Sequence, residues 1–360
     1  MKQLSYLLIL GIIGGIVYVT LNQEDKTVRN FQFTYNVDLE KNEEGIVEVW
    51  IPIPQNIKNV QKIDNMALDY NKTLLTCEEL IEKKHKNKYF YCKSNEESLK
   101  KNTSITLTCD VQRKEHKRMN YEGVKPENYL DANRMVPKGE VFQAIIDEEK
   151  LTSLNIEKVY EYVLSGMHYG KPTKDIENKN YKYYDGKNSK TGKEWLPNDI
   201  NYGRLKKTKD EVVAAQDNNK EYAFGNGNAN YACDIGVGNC TDYHSYFMSL
   251  CRTLEVPARF HMGFNIPPDE KEDGQGKVGG YHCWADYYKE GRGWFPVDIS
   301  EADKDPKKAR YFFGTLDKNR VEFTTGRDLE LKHRESPENF FIYPLVEGTK
   351  YEKSFKYKNL

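Results

Sequence analysis

Hydrophobic and polar residues alternate along the first third of the chain with the two-residue period of a half-buried β-strand. Shorter runs of the same kind at 46–54, 88–93 and 104–112 are separated by polar turns. Two prolines in the 46–54 run indicate an edge strand or the end of a strand. The pattern predicts a small all-β domain over residues 25–120, a sandwich or barrel without residues that suggest chemistry. Its clearest run is Phe31, Phe33, Tyr35, Val37 and Leu39.

The period changes to that of a helix after a connector at residues 121–140, which contains Pro and Gly. Another helix is predicted to begin at Cys240 and end near Leu254, because Pro257 blocks its continuation. A strand at 258–267 follows, and then two strands that form a hairpin around the turn KEGRG. The first helical stripe, which we interpret as core packing, is Ile156, Val159, Tyr160, Val163, Leu164 and Met167.

A polar stretch at residues 170–230 interrupts this part of the chain. It is rich in Lys, Asn, Asp, Gly and Tyr and poor in aliphatic residues, which predicts a long surface insertion with one short helix at 211–216. Two interpretations stay open: a lid over a site, or a solvated excursion without a role. We predict one catalytic domain over residues 141–330 that contains this insertion, and a C-terminal extension over 331–360.

The N-terminus is typical of a targeting or anchoring segment, predicted at residues 1–24. Lys2 supplies a positive start, and no charge occurs from Leu4 to Leu21. As a helix this run spans about 27 Å, close to the thickness of a bilayer core. An uncleaved anchor is favoured over a cleaved signal peptide because no Ala-x-Ala-like site follows. The anchor and the signal peptide both predict that the remaining chain is exported. The alternative is that this run forms a buried core helix of a cytosolic protein.

Charge and cysteine content narrow the function classes. The 54 basic and 55 acidic side chains nearly cancel, which gives no electrostatic reason to expect a nucleic-acid partner. In an oxidising compartment the seven cysteines could form disulfides. A pair among Cys77, Cys92 and Cys109 is one interpretation, since all three lie in the strand-rich region. Buried free thiols are the other.

The candidate chemistry centres on Cys240. A loop of small residues (Gly236, Gly238) delivers this thiol to the start of the predicted helix, where free backbone N–H groups and the helix dipole favour the thiolate. His282 and Asp298 follow on the two strands of the predicted hairpin. If the hairpin is symmetric about Glu290 or Gly291, both side chains project from one face.

A cysteine, a histidine and an acid in this arrangement predict a thiol enzyme that works by acyl transfer. His244, one helical turn from Cys240, is the rival base, but we interpret it as a packed, hydrogen-bonded histidine. Asp286 is the alternative acid. Asp242 is interpreted as an acid stabilised by the helix N-terminus.

Two further questions concern the chemistry of the same region. The backbone N–H of Cys240 is the first candidate donor to an oxyanion, and the Asn239 side chain is a guess for the second. A zinc site is a minor alternative, because its potential ligands match no compact spacing and neighbouring strand residues point to opposite faces. Those potential ligands are Cys233, Cys240, Cys251, His282 and Cys283.

Two segments resemble motifs of the transglutaminase-like superfamily of papain-like thiol enzymes. GNCTDYHSYFMSLCRTLEVPARF (238–260) is similar to its Cys motif, and YHCWADYYKEGRGWFPVDISEAD (281–303) to its His and Asp motifs. The ACD segment at 232–234 and FFGTLDKNRVEFTTGRDLEL (312–331) resemble a bacterial exported subgroup. The resemblance covers about residues 130 to 345. One departure is Tyr231, in a segment where many relatives have a Trp that lines the acyl site.

The resemblance implies an α+β fold in which a helix with the Cys packs against an antiparallel sheet with the His and Asp. It implies Cys240 as nucleophile, His282 as general base and acid, and Asp298 as the residue that orients it, with no cofactor and no metal. The expected partner is a protein or peptide-like substrate in the cell envelope, cleaved by hydrolysis. The alternatives are a crosslinking transglutaminase and a non-catalytic envelope binding or scaffold protein.

Overall fold

The computed structural model describes residues 27–170, 186–214, 221–268 and 274–360. The predicted N-terminal anchor or signal segment, residues 1–24, lies outside the described residues. Within the described ranges, no helix combines the length and the apolar character needed to cross a bilayer.

The described chain folds as an α+β protein. Strands come first: β1 (Val28–Leu39), β2 (Glu48–Pro52), β3 (Gln61–Tyr70), β4 (Leu75–Ile81), β5 (Lys88–Ser94) and β6 (Thr103–Lys114). Helices and short strands follow: α1 (Val141–Glu149), α2 (Ile156–Gly166), β7 (His168–Tyr169), α3 (Lys209–Ala214), α4 (Ala229–Ile235), β8 (Val237–Gly238) and α5 (Cys240–Thr253). The remainder is β9 (Ala258–Asn265), β10 (Gln275–Val278), β11 (His282–Lys289), β12 (Gly293–Val297), α6 (Ile299–Lys304), α7 (Ala309–Phe312), β13 (Arg320–Thr325), β14 (Leu345–Glu347) and β15 (Tyr351–Asn359).

The first third of the chain forms two antiparallel sheets, as the alternation predicts. Their strand orders are β10-β15-β1-β6-β3 and β14-β2-β5-β4. The apolar face of β1 is buried, and its residues lie opposite apolar residues of β6, for example Tyr35 opposite Leu107. Both sheets contribute side chains to one apolar core, and the second sheet also buries Trp50 of β2 on its opposite face.

Later parts of the chain complete the first sheet. β15 pairs antiparallel with β1 along nine residues, and β10 pairs with β15. The predicted C-terminal extension therefore contributes a central strand of the same sheet as β1. Phe33 packs against Phe264 of β9, with ring centroids 5.2 Å apart, so the sandwich shares its core with the rest of the molecule. The predicted domain boundaries stay predictions.

A disulfide joins Cys77 of β4 to Cys92 of β5, which lie directly opposite each other in the sheet. The sequence left a disulfide or buried free thiols open for the cysteines of the strand-rich region, and the structure has the disulfide. Cys109 remains a buried free thiol, because its side chain faces the core from β6.

The second half of the chain is built on a sheet of order β12-β11-β9-β13, with α5 packed against it. Helix α5 is buried along nearly its whole length, which explains why its sequence carries few charges. The predicted stripe on α2 is also confirmed: Ile156, Val159, Tyr160 and Val163 are buried. This layer of helix on antiparallel sheet is the predicted core of the fold.

The described part of the 170–230 insertion forms a small apolar core of its own, although the sequence predicts a polar excursion. Trp195 and Tyr202 are central to this core, which also contains Tyr231, here in edge-to-face contact with Tyr222 at 5.3 Å. A side chain at Gly203, which has φ +63°, would overlap the backbone of Asp234 in α4. The insertion is therefore docked on α4, and its predicted short helix is α3.

Candidate active site

Cys240 is the first residue of α5, and the preceding loop fixes its position. The Asn239 side-chain oxygen accepts the Thr241 N–H at 2.9 Å, while the Asp242 carboxylate accepts the Asn239 N–H at 2.9 Å. These two bonds form a capping box. A side chain at Gly238 would overlap the Asp242 carboxylate, so this close approach requires glycine. The thiol lies at the positive end of the helix dipole, which favours the thiolate.

Asp242 is the helix-terminal acid that the sequence predicts, and it also ties the end of the insertion to α5. Its carboxylate accepts the N–H groups of Gly225 at 2.9 Å and Gly227 at 3.0 Å. Burial raises the pKa of Asp242 to about 7, although these backbone hydrogen bonds oppose the rise. The loop at 225–227 is thereby held beside the nucleophile.

His282 and Asp298 lie on the same face of the sheet, because the β11–β12 hairpin is centred on Gly291. The His282 Nε2 and Asp298 Oδ2 atoms are 2.7 Å apart. Asp298 is also the N-cap of α6, where its Oδ1 accepts the Glu301 N–H at 3.1 Å. The carboxylate is therefore fixed both by the imidazole and by a helix start.

The structure brings the three predicted catalytic residues together in a desolvated site. The side chains of Cys240 and His282 are neighbours, and each shifts the pKa of the other. The exposed fractions of Cys240, His282 and Asp298 are 3%, 4% and 0%. Charge interactions are stronger in such an environment than in water.

The pKa shifts of this site favour a thiolate–imidazolium pair. Burial alone would raise the pKa of Cys240, but hydrogen bonds from Cys283 and His282 and the imidazolium charge hold that pKa well below its ordinary range. Burial opposes protonation of His282, yet the charge and hydrogen bond of Asp298 raise the His282 pKa to about 9. At neutral pH the thiol is thus ionised and the imidazole protonated, the form in which the sulfur is nucleophilic.

Arg320 is a site residue that the sequence reasoning missed. Its Nη1 atom lies 3.1 Å from Asp298 Oδ2, and its Nη2 atom lies 3.2 Å from Asp317. The guanidinium is fully buried and stacks over Trp284 at 4.9 Å. The His282 and Arg320 charges hold the pKa of Asp298 well below its usual range against the effect of burial. The available signal was an arginine at the start of a strand, RVEFTT, in which Val321 and Phe323 alternate with charged or polar residues, since a buried charge needs a partner.

His244 occupies a packed position, in agreement with its interpretation as a structural residue. Its Nδ1 atom is 2.7 Å from the Cys240 carbonyl oxygen, and its Nε2 accepts the Ile299 N–H at 3.1 Å. Burial lowers the pKa of His244 to about 4, so the ring is neutral at pH 7. Both ring nitrogens are engaged, which leaves none to serve as base.

Asp286, the alternative acid, pairs with other residues. Its carboxylate lies 2.8 Å from Arg259 Nη2 and 3.1 Å from His261 Nε2. The Arg259 guanidinium in turn stacks on Tyr121 at 4.0 Å. This buried cluster supports the sheet beneath the site.

Of the residues considered as zinc ligands, His282 and Cys283 interact with Cys240, whereas Cys233 and Cys251 have other neighbours. Among the described residues, no group of three or more His, Cys, Asp or Glu side chains has the geometry to hold a metal ion. Cys251 and Cys233 are instead buried free thiols whose pKa burial raises.

A cleft of about 930 Å³ opens between the insertion and α6; Cys240, His282 and Asp298 are not among the residues that line it. Its walls include Trp195 on one side and Asp303 and Lys307 on the other. Tyr169 packs at a tilt against Trp195, with ring centroids 5.4 Å apart, and carries the Lys304 ammonium over its ring at 4.2 Å. Both Tyr169 and Lys304 interact electrostatically with Cys240, and Trp195 lines the cleft, so this contact links the cleft wall to the surroundings of the thiol.

The chain is similar to proteins of known sequence or structure. An uncharacterised protein of Haemophilus influenzae is 25% identical over an alignment 389 residues long, which covers 96% of this chain and 94% of that protein. A candidate cysteine protease from Cytophaga hutchinsonii aligns with 92% of this chain and 100% of its own at 12% identity and a TM-score of 0.48. The periplasmic domain of TgpA from Pseudomonas aeruginosa, bound to ethylmercury, aligns with 78% of this chain and 93% of its own at 11% identity and a TM-score of 0.31.

The family model of the transglutaminase-like superfamily matches residues 193–299. This range includes the helix that begins at Cys240 and the hairpin that holds His282 and Asp298. The chain therefore contains a transglutaminase-like core, the core of a thiol-dependent kind of enzyme.

Proposed function

We propose that this protein is an exported, membrane-anchored cysteine hydrolase that cleaves amide or peptide bonds in an envelope protein or a peptidoglycan-type substrate. The observation that carries the proposal is the placement of His282 between Cys240, with which it interacts, and Asp298, which it hydrogen-bonds. A structural thiol would not need an ion-paired imidazole, and a buried charge pair is costly unless it serves a purpose.

The reaction follows from the charges already present. The Cys240 thiolate attacks the substrate carbonyl carbon, and His282 gives its proton to the nitrogen that leaves as the C–N bond breaks. The product of this step is a thioester on Cys240. His282, now neutral, takes a proton from water as the water attacks the thioester, which releases the acid and restores the thiolate–imidazolium pair. Asp298 keeps the ring oriented throughout and stabilises its charged form.

The peptide-like substrate of the proposal would occupy the cleft between the insertion and α6. Its volume is within the range of sites that bind small ligands and short chain segments. Apolar and charged side chains both line it, including Trp195 and Lys307. In a crosslinking transglutaminase a substrate amine would attack the thioester in place of water. A scaffold protein would form no thioester. Experiments on the thiol and on the envelope fractions distinguish these two alternatives from hydrolysis.

Site-resolved alkylation tests the activated thiol. The ectodomain is treated with iodoacetamide between pH 5 and 9, and labelling of each cysteine is followed by peptide mass spectrometry. Cys240 should react well below the ordinary thiol pKa of ~8.5. Cys251, a buried thiol on the same helix, is the internal control and should stay unlabelled. Labelling of Cys240 only above pH 8 would contradict the proposal.

A second experiment addresses the substrate. Envelope protein and peptidoglycan fractions are compared between cells with the wild-type protein and cells with Cys240→Ala. New amine and carboxyl ends that depend on Cys240 indicate hydrolysis, whereas new isopeptide bonds indicate crosslinking. Identical fractions together with an inert Cys240 would favour the scaffold alternative.

A further inference from the structure

A thiol acyl transferase needs two hydrogen-bond donors for the oxyanion of its tetrahedral intermediate. The first is present at the helix start. In the described part of the chain the Cys240 N–H has no hydrogen-bond acceptor, because it belongs to the first turn of α5 and the Asn239 side chain caps Thr241 instead. This N–H is therefore free for a ligand.

We infer that the Tyr281 hydroxyl is the second donor to this oxyanion, an inference that rests on the acyl-transfer function proposed above. Tyr281 directly precedes His282, at the start of β11. Its hydroxyl group lies beside the N-cap of α5, since it accepts a hydrogen bond from the Asn239 side-chain Nδ2 at 3.1 Å. The free Cys240 N–H and the Tyr281 hydroxyl thus flank the same helix start.

The proton of this hydroxyl is available. Its acceptor in the structure is the Gly225 carbonyl oxygen, at a long 3.4 Å. That oxygen already accepts the Thr241 hydroxyl at 3.0 Å. Because the amide of Asn239 occupies a lone pair of the phenol oxygen, the Tyr281 O–H can turn to a stronger acceptor without losing its anchor. A carbonyl oxygen that becomes negatively charged is such an acceptor.

The ring of Tyr281 is held in place, as a preorganised donor must be. Its backbone N–H donates to the Tyr343 hydroxyl at 3.1 Å, and the two rings meet edge to face at 5.4 Å. Phe340 packs on the ring at 5.9 Å. Burial and the neighbouring Cys240 raise the pKa of Tyr281 well above its ordinary value, so the group keeps its proton at the pH of the reaction.

Asn239 has a different role in the structure from the one that the sequence suggests. The sequence suggested its side chain as an oxyanion donor. In the structure its oxygen caps α5 and its nitrogen holds the Tyr281 hydroxyl. Asn239 is therefore a positioning residue for Tyr281.

The test compares two reactions of the same thiol. Acylation by p-nitrophenyl acetate passes through an oxyanion, whereas alkylation by iodoacetamide does not. Tyr281→Phe should slow acylation about 10²-fold, the usual effect of one lost donor, and leave the alkylation rate at pH 7 unchanged. Tyr287→Phe removes a phenol hydroxyl from the same strand, β11, outside the site, and should change neither rate by more than about twofold.

Asn239→Ser provides a second variant, since serine keeps the helix cap but cannot hold the phenol. It should slow acylation less than Tyr281→Phe, again with normal alkylation. Equal acylation of wild type and Tyr281→Phe would overturn the donor role. Parallel loss of acylation and alkylation would also overturn it, because the tyrosine would then act on the thiolate or the fold. A wild-type protein that alkylates but never acylates would instead refute the proposed function, and the donor role with it.

Discussion

Asp298→Asn should remove the charge that favours the imidazolium form of His282 and leave the fold intact. The pKa of His282 is about 9, against an ordinary value of ~6.5. Since one pKa unit corresponds to 1.36 kcal/mol, the site favours the imidazolium by about 3 kcal/mol, and burial acts in the opposite direction. Asp298 is the main source of this preference. Without its charge the imidazole should be neutral at pH 7.5, and acylation of Cys240 should fall about 10²-fold.

The assay is the pH dependence of iodoacetamide and p-nitrophenyl acetate reactivity, with thermal unfolding measured in parallel. Asp317→Asn is the matched control, because Asp317 also pairs with Arg320 but does not contact His282. It should lower stability and leave the pH profile in place. If both variants shift the profile equally, or if Asp298→Asn shifts nothing, the assignment of Asp298 as the orienting acid is refuted.

Three further predictions follow from the same contacts. The imidazolium of His282 is present below its pKa and lost above it. Acyl transfer from a substrate with a poor leaving group should therefore slow above about pH 9 in a stopped-flow pH–rate profile. A rate that keeps rising with pH would contradict that pKa. Gly203→Ala should destabilise the insertion far more than Gly192→Ala, as measured by thermal unfolding and limited proteolysis. Both glycines have positive φ, but only Gly203 lies against the backbone of another segment. Equal effects would argue against docking on α4. Replacing Cys77 with Ser should lower the free energy of unfolding by about 3 kcal/mol, the value for a disulfide that closes a loop of ~15 residues. The rate of alkylation of Cys240 should not change. A lower rate would show that the sandwich supports the site more directly.

Much of the fold follows from local periodicity. The alternation in β1 and the helical stripe on α2 each encode which face is buried, because side-chain direction depends on the backbone period alone. The hairpin is a similar case. Once its centre is placed at Gly291, the parity of positions 282 and 298 determines that both side chains share a face.

Other features depend on residues that are distant in sequence. The sequence of the insertion is predicted to be a polar excursion because its few aromatic residues are widely spaced. Trp195 and Tyr202 come together in a core only because the insertion docks on α4. Likewise nothing in the sequence of β15 indicates that it pairs with β1 rather than forming a separate extension. Strand order is set by the packing of whole sheets, so a single-strand pattern does not contain it.

The sequence by itself determined the thiol at a helix start, the histidine and acid on one face of a hairpin, and the structural role of His244. Each depends on spacing within one or two adjacent elements. Only the tertiary structure decided that Arg320 shares the Asp298 carboxylate and that Tyr281 meets the N-cap of α5. Those contacts join separate elements of the fold, and the physical reason is that partners for buried charges and donors are chosen by how those elements pack.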